Sequence, residues 1–512
     1  MLKKEIKLSY FALIVSFINL ILYQFAFYSF VINNIDIASF NGVLLLISLT
    51  VAALALNALV FYIGLFVLRF IGKLILVAFF NINAISLYFI NTYGVIIDRS
   101  MIGNVFNTNY EESSSFFSLT LVAYVLFLGI IPSILLFKFT LINTKPKRFF
   151  THISLTLIFL LSLVYVNSSN WLWIDKNSKT LGGLVMPWSY VVNTCRYYNK
   201  KNKKNKKQIL LPNATIKNNE KSIVVLVIGE SARSENFSLY GYHKNTNPLL
   251  AKTKNLHVYK AESAATYTTA GVKAILDHKE SNQLYEILPN YLFRNNVDVI
   301  WRSTNWGEPK VNIEKYFDKG DLKSVCKTTT CGYDEILLNG LKAQILESDK
   351  DKIFVVLHTS TSHGPTYYKK YPEQFNQFSP VCESVELDKC TQEELINAYD
   401  NTILYTDYIL NNLIEELKQF KQFNTSMIFV SDHGESLGEK NLYMHGLPKS
   451  IAPKEQFDIP FIVWSSDESI SLIKNNELLS QYHVFHSVLD LLAVESPIYD
   501  KHMSIIQKVP KN

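Results

Sequence analysis

The sequence predicts an α-helical membrane domain of five transmembrane helices joined to an α/β domain with a largely parallel sheet. Two observations carry that prediction. Up to about residue 168 the 512-residue chain is dominated by long stretches of Leu, Ile, Val, Phe and Ala, and after about 215 it has the mixed polarity of a soluble protein. From Lys221 onward, apolar β-branched runs such as Ile223–Ile228, Val297–Trp301, Ile353–Leu357 and Met427–Val430 alternate with helical patterns such as Glu393–Leu417, as expected of strands covered by helices. The expected boundaries are residues 1–168 for the membrane domain, 169–220 for a linker at the membrane interface and 221–512 for the second domain.

Five apolar stretches, near 9–32, 41–67, 72–92, 117–138 and 149–168, are each long enough to cross a hydrocarbon core. Lys3, Lys4 and Lys7 precede the first, Arg69 and Lys73 separate the second and third, and Lys138, Lys145, Lys147 and Arg148 precede the fifth. Basic loops stay on the cytoplasmic side, so these segments are expected there, and the loops Asn33–Asn41 and Asn91–Phe117 on the other. The first stretch is too long for a cleaved signal peptide and lacks a small-residue cleavage site, so it reads as a retained anchor. An odd number of spans exports everything that follows. Much of the net charge of +6 comes from the Lys200–Lys207 cluster, which reads equally as a solvated linker or as a contact to anionic head groups. Export argues against nucleic acid as a partner.

The five cysteines agree with export. Cys326 with Cys331, and Cys382 with Cys390, suit short-loop disulfides in an oxidising compartment. Neither pair has the companion ligands of a structural zinc site. Cys195 is left over as a free thiol.

Three strands end in chemistry. The run Ser426–Ser431 stops at Asp432–His433–Gly434–Glu435, Ile223–Ile228 stops at Gly229–Glu230, and Ile353–Leu357 leads into His358 and His363–Gly364–Pro365. Open α/β sheets place their sites at the carboxyl ends of strands. Glu230, Asp432, His433, His363 and His445 supply the carboxylate and imidazole mixture that suits zinc. His445 alone would read as a turn histidine, but its place shortly after Asp432–His433 and beside Gly446 moves it toward a ligand or a phosphate contact. A nucleophile is expected in Ser263–Gly271, where a hydroxyl at a helix start either caps the helix or faces unpaired N–H groups that favour an alkoxide and a phosphate. Residue chemistry alone leaves Thr266, Thr268 and Thr269 open.

At this point the chain resembles the phosphoethanolamine transferases that modify lipid A, including the mobile colistin-resistance enzymes, within the alkaline phosphatase and sulfatase superfamily. The resemblance rests on the five-span anchor, the exported loop YGVIIDRSMIGNVFNTNYEE, the motif VIGESARSENFSLYGY, the segment SHGPTYYKKYPEQFNQFSPVC, the helix INAYDNTILYTD, and SDHGESLGEKNLYMHGLP followed by APKEQ. It implies a sulfatase-like catalytic domain in the periplasm and a multi-pass anchor in the bacterial inner membrane. It implies zinc, one catalytic ion with room for a second, held by Glu230, Thr268, Asp432 and His433. Thr268 is then the nucleophile, and His363, His445 and Glu435 the contacts to phosphate or to a second metal. Asn104, Thr108 and Glu112, with Glu111 as an adjacent competitor, match positions implicated in lipid binding, and Lys310 a basic substrate contact. Many relatives bracket the nucleophile with a cysteine pair, and Ala264 and Ala274 stand at those positions here.

The activity so implied moves phosphoethanolamine from phosphatidylethanolamine to lipid A or another lipopolysaccharide acceptor through a phosphoethanolamine ester on the threonine. A cationic group added to an anionic surface reduces its attraction for cationic peptides. The competing readings are a membrane-anchored phosphoglycerol transferase, a sulfatase-type hydrolase, and an inactive lipid-binding sensor. The Thr268 region lacks the Cys-x-Pro-x-Arg-like setting of a sulfatase, and the intact ligand set argues against the sensor.

Overall fold

The computed structural model describes residues 4–108, 110–167, 170–204, 208–468, 470–472 and 477–507. The chain divides into two compact units, Met1–Lys201 and Asn202–Asn512.

The first unit is helical. Helices α1 (Leu8–Tyr23) and α2 (Phe25–Asn34) meet at 66° around Gln24, whose buried amide donates to Asn19 Oδ1 at 2.9 Å and to the Met186 carbonyl. Helix α3 (Phe40–Tyr93) counts 54 residues, which as a straight rod would be about 80 Å long. It is instead a hairpin, broken at Arg69, where φ is 41°. The Phe61 and Phe79 rings lie 6.4 Å apart, and a Cβ on Gly72 would sit 3.2 Å from Leu65 Cα, so the two arms run back along each other. After the short α4 (Arg99–Asn107), capped by Asp98, come α5 (Leu119–Leu136) and α6 (Pro146–Val166). Among the described residues α3, α5 and α6 are long and apolar enough to cross a membrane, and the bent pair α1 and α2 makes a fourth.

The basic segments gather at one end of this unit. Lys4–Lys7 pairs in parallel with Phe139–Ile142, and buried Lys73 donates to the carbonyls of Leu136 at 3.0 Å and Phe139 at 2.6 Å. A cation there satisfies the orphan carbonyls at the end of α5. The stretch expected as a linker holds α7 (Trp171–Leu184) and α8 (Trp188–Lys204). Both are tied into the first unit: Trp173 of α7 donates to the Asn34 carbonyl at 2.9 Å, and from α8 Trp188 donates to Asn57 Oδ1 at 2.7 Å and Asn193 to the Ile97 carbonyl at 2.8 Å. The side chains of Lys200–Lys207 lie outside the described residues. Cys195 is free and exposed.

The second unit is built on an eight-stranded sheet. Its strands are β1 (Ser222–Gly229), β2 (Leu256–Glu262), β3 (Asp298–Ser303), β4 (Lys315–Phe317), β5 (Lys352–His358), β6 (Asn424–Ser431), β7 (Asp458–Ser465) and β8 (Leu479–Ser480), in the spatial order β8-β2-β7-β6-β1-β5-β3-β4. The sheet is mixed but largely parallel, as expected: five of its strand pairings are parallel, and β7 alone runs antiparallel, to both of its neighbours, β2 and β6. The reason lies in the connection. A parallel return needs a crossover, usually a helix, and the described residues between Ser431 and Asp458 form no α-helix.

Helices α9 (Thr268–Leu276) and α11 (His483–Leu491) cover one face. Val272, Ile275, Val484, Phe485 and Val488 pack there against Val224, Leu226 and Ile228 of β1. The alternate residues Ile223, Val225 and Val227 are equally buried, so the central strand is covered on both faces. The long α10 (Gln392–Leu417) starts with a capping box in which Thr391 accepts from the Glu394 N–H and the Glu394 carboxylate accepts from the Thr391 N–H at 2.8 Å. The disulfides Cys326–Cys331 and Cys382–Cys390 are formed as expected.

Candidate active site

Adjacent parallel strands β1 and β6 end side by side, which delivers Glu230 and Asp432 to the same point of the sheet edge. The two strand ends are latched together. The Asp432 N–H donates to the Gly229 carbonyl at 2.9 Å, the Ser231 N–H to Asp432 Oδ1 at 3.1 Å, and the Ala232 N–H to Ser431 Oγ at 2.9 Å. This requires Ser231 to adopt a φ of 52°, a left-handed conformation that costs about 1 kcal/mol or more. Tyr399 of α10 holds it by donating to the Ser231 carbonyl at 2.7 Å.

Thr268 opens α9, and its hydroxyl stands 3.3 Å from His433 Nε2. The helix-cap reading does not apply to it: Tyr267 is the N-cap and makes no side-chain cap. Thr266 is committed elsewhere, donating to the Leu447 carbonyl. The helix approaches so closely that a Cβ on Gly271 would lie 2.0 Å from the Asp432 carbonyl oxygen, and only glycine fits there.

The ring of His433 is oriented by its Nδ1–H, which donates to the Gly434 carbonyl at 2.8 Å. Nε2 is thereby the acceptor, facing Asp432 Oδ2 at 3.3 Å and Glu230 Oε1 at 3.5 Å. An imidazole pinned through one nitrogen with the other facing carboxylates is the arrangement of a metal ligand. Ligand atoms of Glu230, His433 and His445 all lie within 4.8 Å of one another. His445, expected in a second group, thus stands with the first. Asp432 Oδ2 is buried without a hydrogen-bond partner among the described residues, and so is Glu435 Oε1. Buried acceptors without a donor are costly, and a divalent cation satisfies them, so the donor set fits zinc.

The electrostatics point the same way. Burial raises the Glu230 carboxyl, but the imidazoles of His433, His363 and His445 outweigh it and hold it at about 2. Burial, then the charge of Glu230, pushes Asp432 well above the usual carboxylate range. Burial lifts Glu435 to about 8, while burial and the neighbouring His445 push His433 down to about 4. The result is a neutral His433 imidazole facing the Glu230 carboxylate, ready for a cation.

His363, after β5, has its ring 5.3 Å from that of His445, whose Nδ1 is 3.3 Å from Glu435 Oε2. Three supporting residues have no motif of their own. Asn305, just past β3, donates to Glu230 Oε2 at 2.5 Å and to the Thr359 carbonyl at 2.8 Å. Gln481 donates to the Asp432 carbonyl at 2.7 Å and accepts from the Ala264 N–H at 2.9 Å, tying down the loop at one position of the absent cysteine pair. Tyr399 is the third. Asn305 was findable by the rule that strand ends carry function; nothing in the sequence marks Gln481.

Lys310 is not drawn into this cluster. Lys310 is exposed, its carbonyl accepting from Asn290 at 3.0 Å. In the first unit, the Thr108 hydroxyl donates to the Asn104 carbonyl at 2.8 Å, placing the two on successive turns. The side chains of Glu111 and Glu112 lie outside the described residues.

Residues 222–494 match the sulfatase family model, and residues 54–202 match that of phosphoethanolamine transferase EptA/EptB. The chain is 42% identical to phosphoethanolamine transferase EptA of Helicobacter pylori over 429 residues, 81% of this chain and 80% of that one. It belongs to the phosphoethanolamine transferase family. The transferase is also 31% identical to EptA of Salmonella typhimurium over 531 residues, 97% of this chain and 96% of the relative. Its fold matches that of the integral membrane lipooligosaccharide phosphoethanolamine transferase A from Neisseria meningitidis with a TM-score of 0.88, at 25% identity and over 98% and 99% of the two chains. Phosphoethanolamine is therefore the transferred group, in preference to phosphoglycerol or sulfate.

Proposed function

We propose that this transferase takes phosphoethanolamine from phosphatidylethanolamine, holds it as an ester on Thr268, and passes it to lipid A or another lipopolysaccharide acceptor. The observation that carries the reading is the Thr268 hydroxyl, which stands at the donor cluster, 3.3 Å from His433 Nε2. Thr268 Oγ attacks the phosphorus, the bond to the glycerol oxygen breaks, and diacylglycerol leaves with the proton that the threonine loses. An acceptor oxygen, on a lipid A phosphate in our reading, then attacks the same phosphorus, and Thr268 recovers a proton as its ester bond breaks. Zinc bound by Glu230, Asp432, His433 and Thr268 would lower the hydroxyl pKa and stabilise charge on the phosphoryl oxygens. His363, His445 and Glu435 bind the phosphate or a second ion.

Both substrates are lipids, which accounts for the anchor. We assign five spans: the bent pair α1 and α2, the two arms of α3, then α5 and α6, with residues 1–168 in the bacterial inner membrane, 169–220 at its interface and 221–512 in the periplasm. The convergence of Lys4–Lys7, Lys73 and Lys138 at one end of the unit supports that topology, and the two disulfides suit the compartment. Asn104, Thr108, Glu112 and Lys310 are assigned to substrate contact, and the added ethanolamine lowers surface attraction for antimicrobial peptides.

Intact-mass analysis after incubation with zinc and phosphatidylethanolamine tests the reading. A phosphoethanolamine adduct that maps to Thr268 and vanishes in Thr268→Ala supports it. An adduct mapped to Thr266 or Thr269, or none in an active preparation, overturns it.

A further inference from the structure

The membrane unit has a cavity far from any residue of the transfer reaction in sequence. It measures about 470 Å³ and opens between the start of α1, the first arm of α3 and the first turns of α6, with Lys7, Tyr10, Tyr62, Arg148, His152 and Thr156 in its wall. It lies at the basic end of the unit, since Lys7 belongs to the strand paired with Phe139–Ile142 and Arg148 to the first turn of α6. Tyr62 stands seven residues before the hairpin break at Arg69, about 10 Å along the helix.

We propose that this cavity is a binding site for the head-group phosphate of an anionic glycerophospholipid, formed by the cations of Lys7 and Arg148 above the buried hydroxyl of Tyr62. Three features support the assignment. Neither cation forms an ion pair among the described residues, and no Asp or Glu lines the cavity. Tyr62 is 4% exposed; Thr144 reaches toward its hydroxyl, but no group among the described residues makes a well-formed hydrogen bond to it. A buried donor without an acceptor is a cost, which a phosphate oxygen removes. The ring that carries this hydroxyl is fixed between Phe149, at 5.3 Å, and His152, at 5.7 Å.

The same lining selects the lipid class. Leu13, Ala58 and Leu59 continue the wall away from the cations and offer an apolar track to an acyl chain, which inorganic phosphate would not use. A zwitterionic head group brings an ammonium for which the cavity has no carboxylate, so phosphatidylglycerol is favoured over phosphatidylethanolamine and phosphatidylcholine. Basic pockets between transmembrane helices on the cytoplasmic side are known to take acidic head groups. The site would hold a lipid that is not a substrate, on the side of the bilayer opposite the proposed transfer reaction.

Native mass spectrometry of the full, delipidated chain in detergent tests this with phosphatidylglycerol, phosphatidylethanolamine and phosphatidylcholine in parallel, and with inorganic phosphate as competitor. One phosphatidylglycerol should be retained in preference to the two zwitterionic lipids. The Lys7→Ala/Arg148→Ala variant should lower that affinity by about 25-fold, roughly fivefold for each charge. Tyr62→Phe keeps the ring packing and should lower it several-fold, about the worth of one hydrogen bond. Lys145→Ala/Lys147→Ala, which changes charge at the same end outside the cavity, should leave it unaltered. Equal retention of the three lipids, equal loss in the Lys145/Lys147 variant, or displacement of the lipid by inorganic phosphate at equal concentration would each overturn the proposal.

Discussion

The hydroxyl of Thr268 stands 3.3 Å from Nε2 of His433, and the opposite nitrogen of that ring is spent on the Gly434 carbonyl. The hydroxyl and the ring's acceptor atom therefore share one buried cluster. Truncating Thr268 to alanine leaves the carboxylates and imidazoles of that cluster in place and removes the attacking atom. We predict that Thr268→Ala lowers phosphoethanolamine transfer by roughly 10³-fold or more while zinc content stays above half of wild type. Thr268→Ser, with the oxygen retained, should keep measurable transfer and carry the adduct on the serine. Quantifying transfer and bound zinc on the same preparations separates the two roles.

Asn305 reaches Glu230 Oε2 at 2.5 Å and the Thr359 carbonyl at 2.8 Å, so it orients the carboxylate from outside the cluster. Loss of such an orienting group typically weakens metal binding about 10- to 100-fold. Asn305→Ala should show that loss in a zinc titration against a competing chelator. Asp432→Asn, which removes a ligand charge, should lose more. Chelation should stop adduct formation in the wild type and added zinc restore it. Unchanged zinc affinity in Asn305→Ala would mean that its amide does not support the site.

A methyl group on Gly271 would sit 2.0 Å from the Asp432 carbonyl oxygen and 2.7 Å from its carbon. Backbone on both sides leaves no side chain to give way, so α9 must move off the sheet edge and carry Thr268 with it. Gly271→Ala is predicted to abolish transfer and to cost about 3 kcal/mol or more, within the range of severe overpacking. Gly182→Ala, where a Cβ meets nothing within 4 Å, is the control and should be silent in both activity and melting temperature.

The strand ends that meet at the cluster were legible because carboxylates and imidazoles followed apolar runs directly, as in Val430–Ser431–Asp432–His433. The choice among Thr266, Thr268 and Thr269 was not. It depends on where α9 starts and on the Leu447 carbonyl that takes up Thr266, both set by tertiary packing. The direction of β7 was hidden for a similar reason: an apolar run such as Ile459–Trp464 reads the same in either direction, and only its connection to β6, which has no α-helix among the described residues, fixes it. The α3 hairpin was half visible, since Arg69 and Lys73 marked a break between two apolar stretches. Gln481 lies between β8 and α11, nearly fifty residues after the Asp432 carbonyl it supports, and no local pattern connects them.

His278 provides a test of acid sensitivity away from the metal donors. Its side chain is 7% exposed, its ring lies edge-on to Tyr285 at 4.7 Å and to Phe485 at 5.9 Å, and its Nδ1 has no hydrogen-bond partner among the described residues. Burial, followed by the charges of Lys279, His486 and Lys273, pushes its pKa down to about 4. Between the ordinary histidine value of about 6.5 and that value, the unfolded chain binds a proton that the folded chain refuses. The group's contribution to stability is therefore complete above about pH 6.5 and is lost as pH falls toward 4. At pH 5 the loss is about 2 kcal/mol relative to pH 8. His278→Phe keeps the aromatic contacts and removes the proton site, so its stability relative to wild type should rise by about that amount between pH 8 and pH 5. Hydrogen exchange of the β1 amides in the full chain, measured at both pH values, reads the difference. Equal acid sensitivity in wild type and variant would show that His278 accepts its proton in the folded state, and that its burial is relieved by local opening.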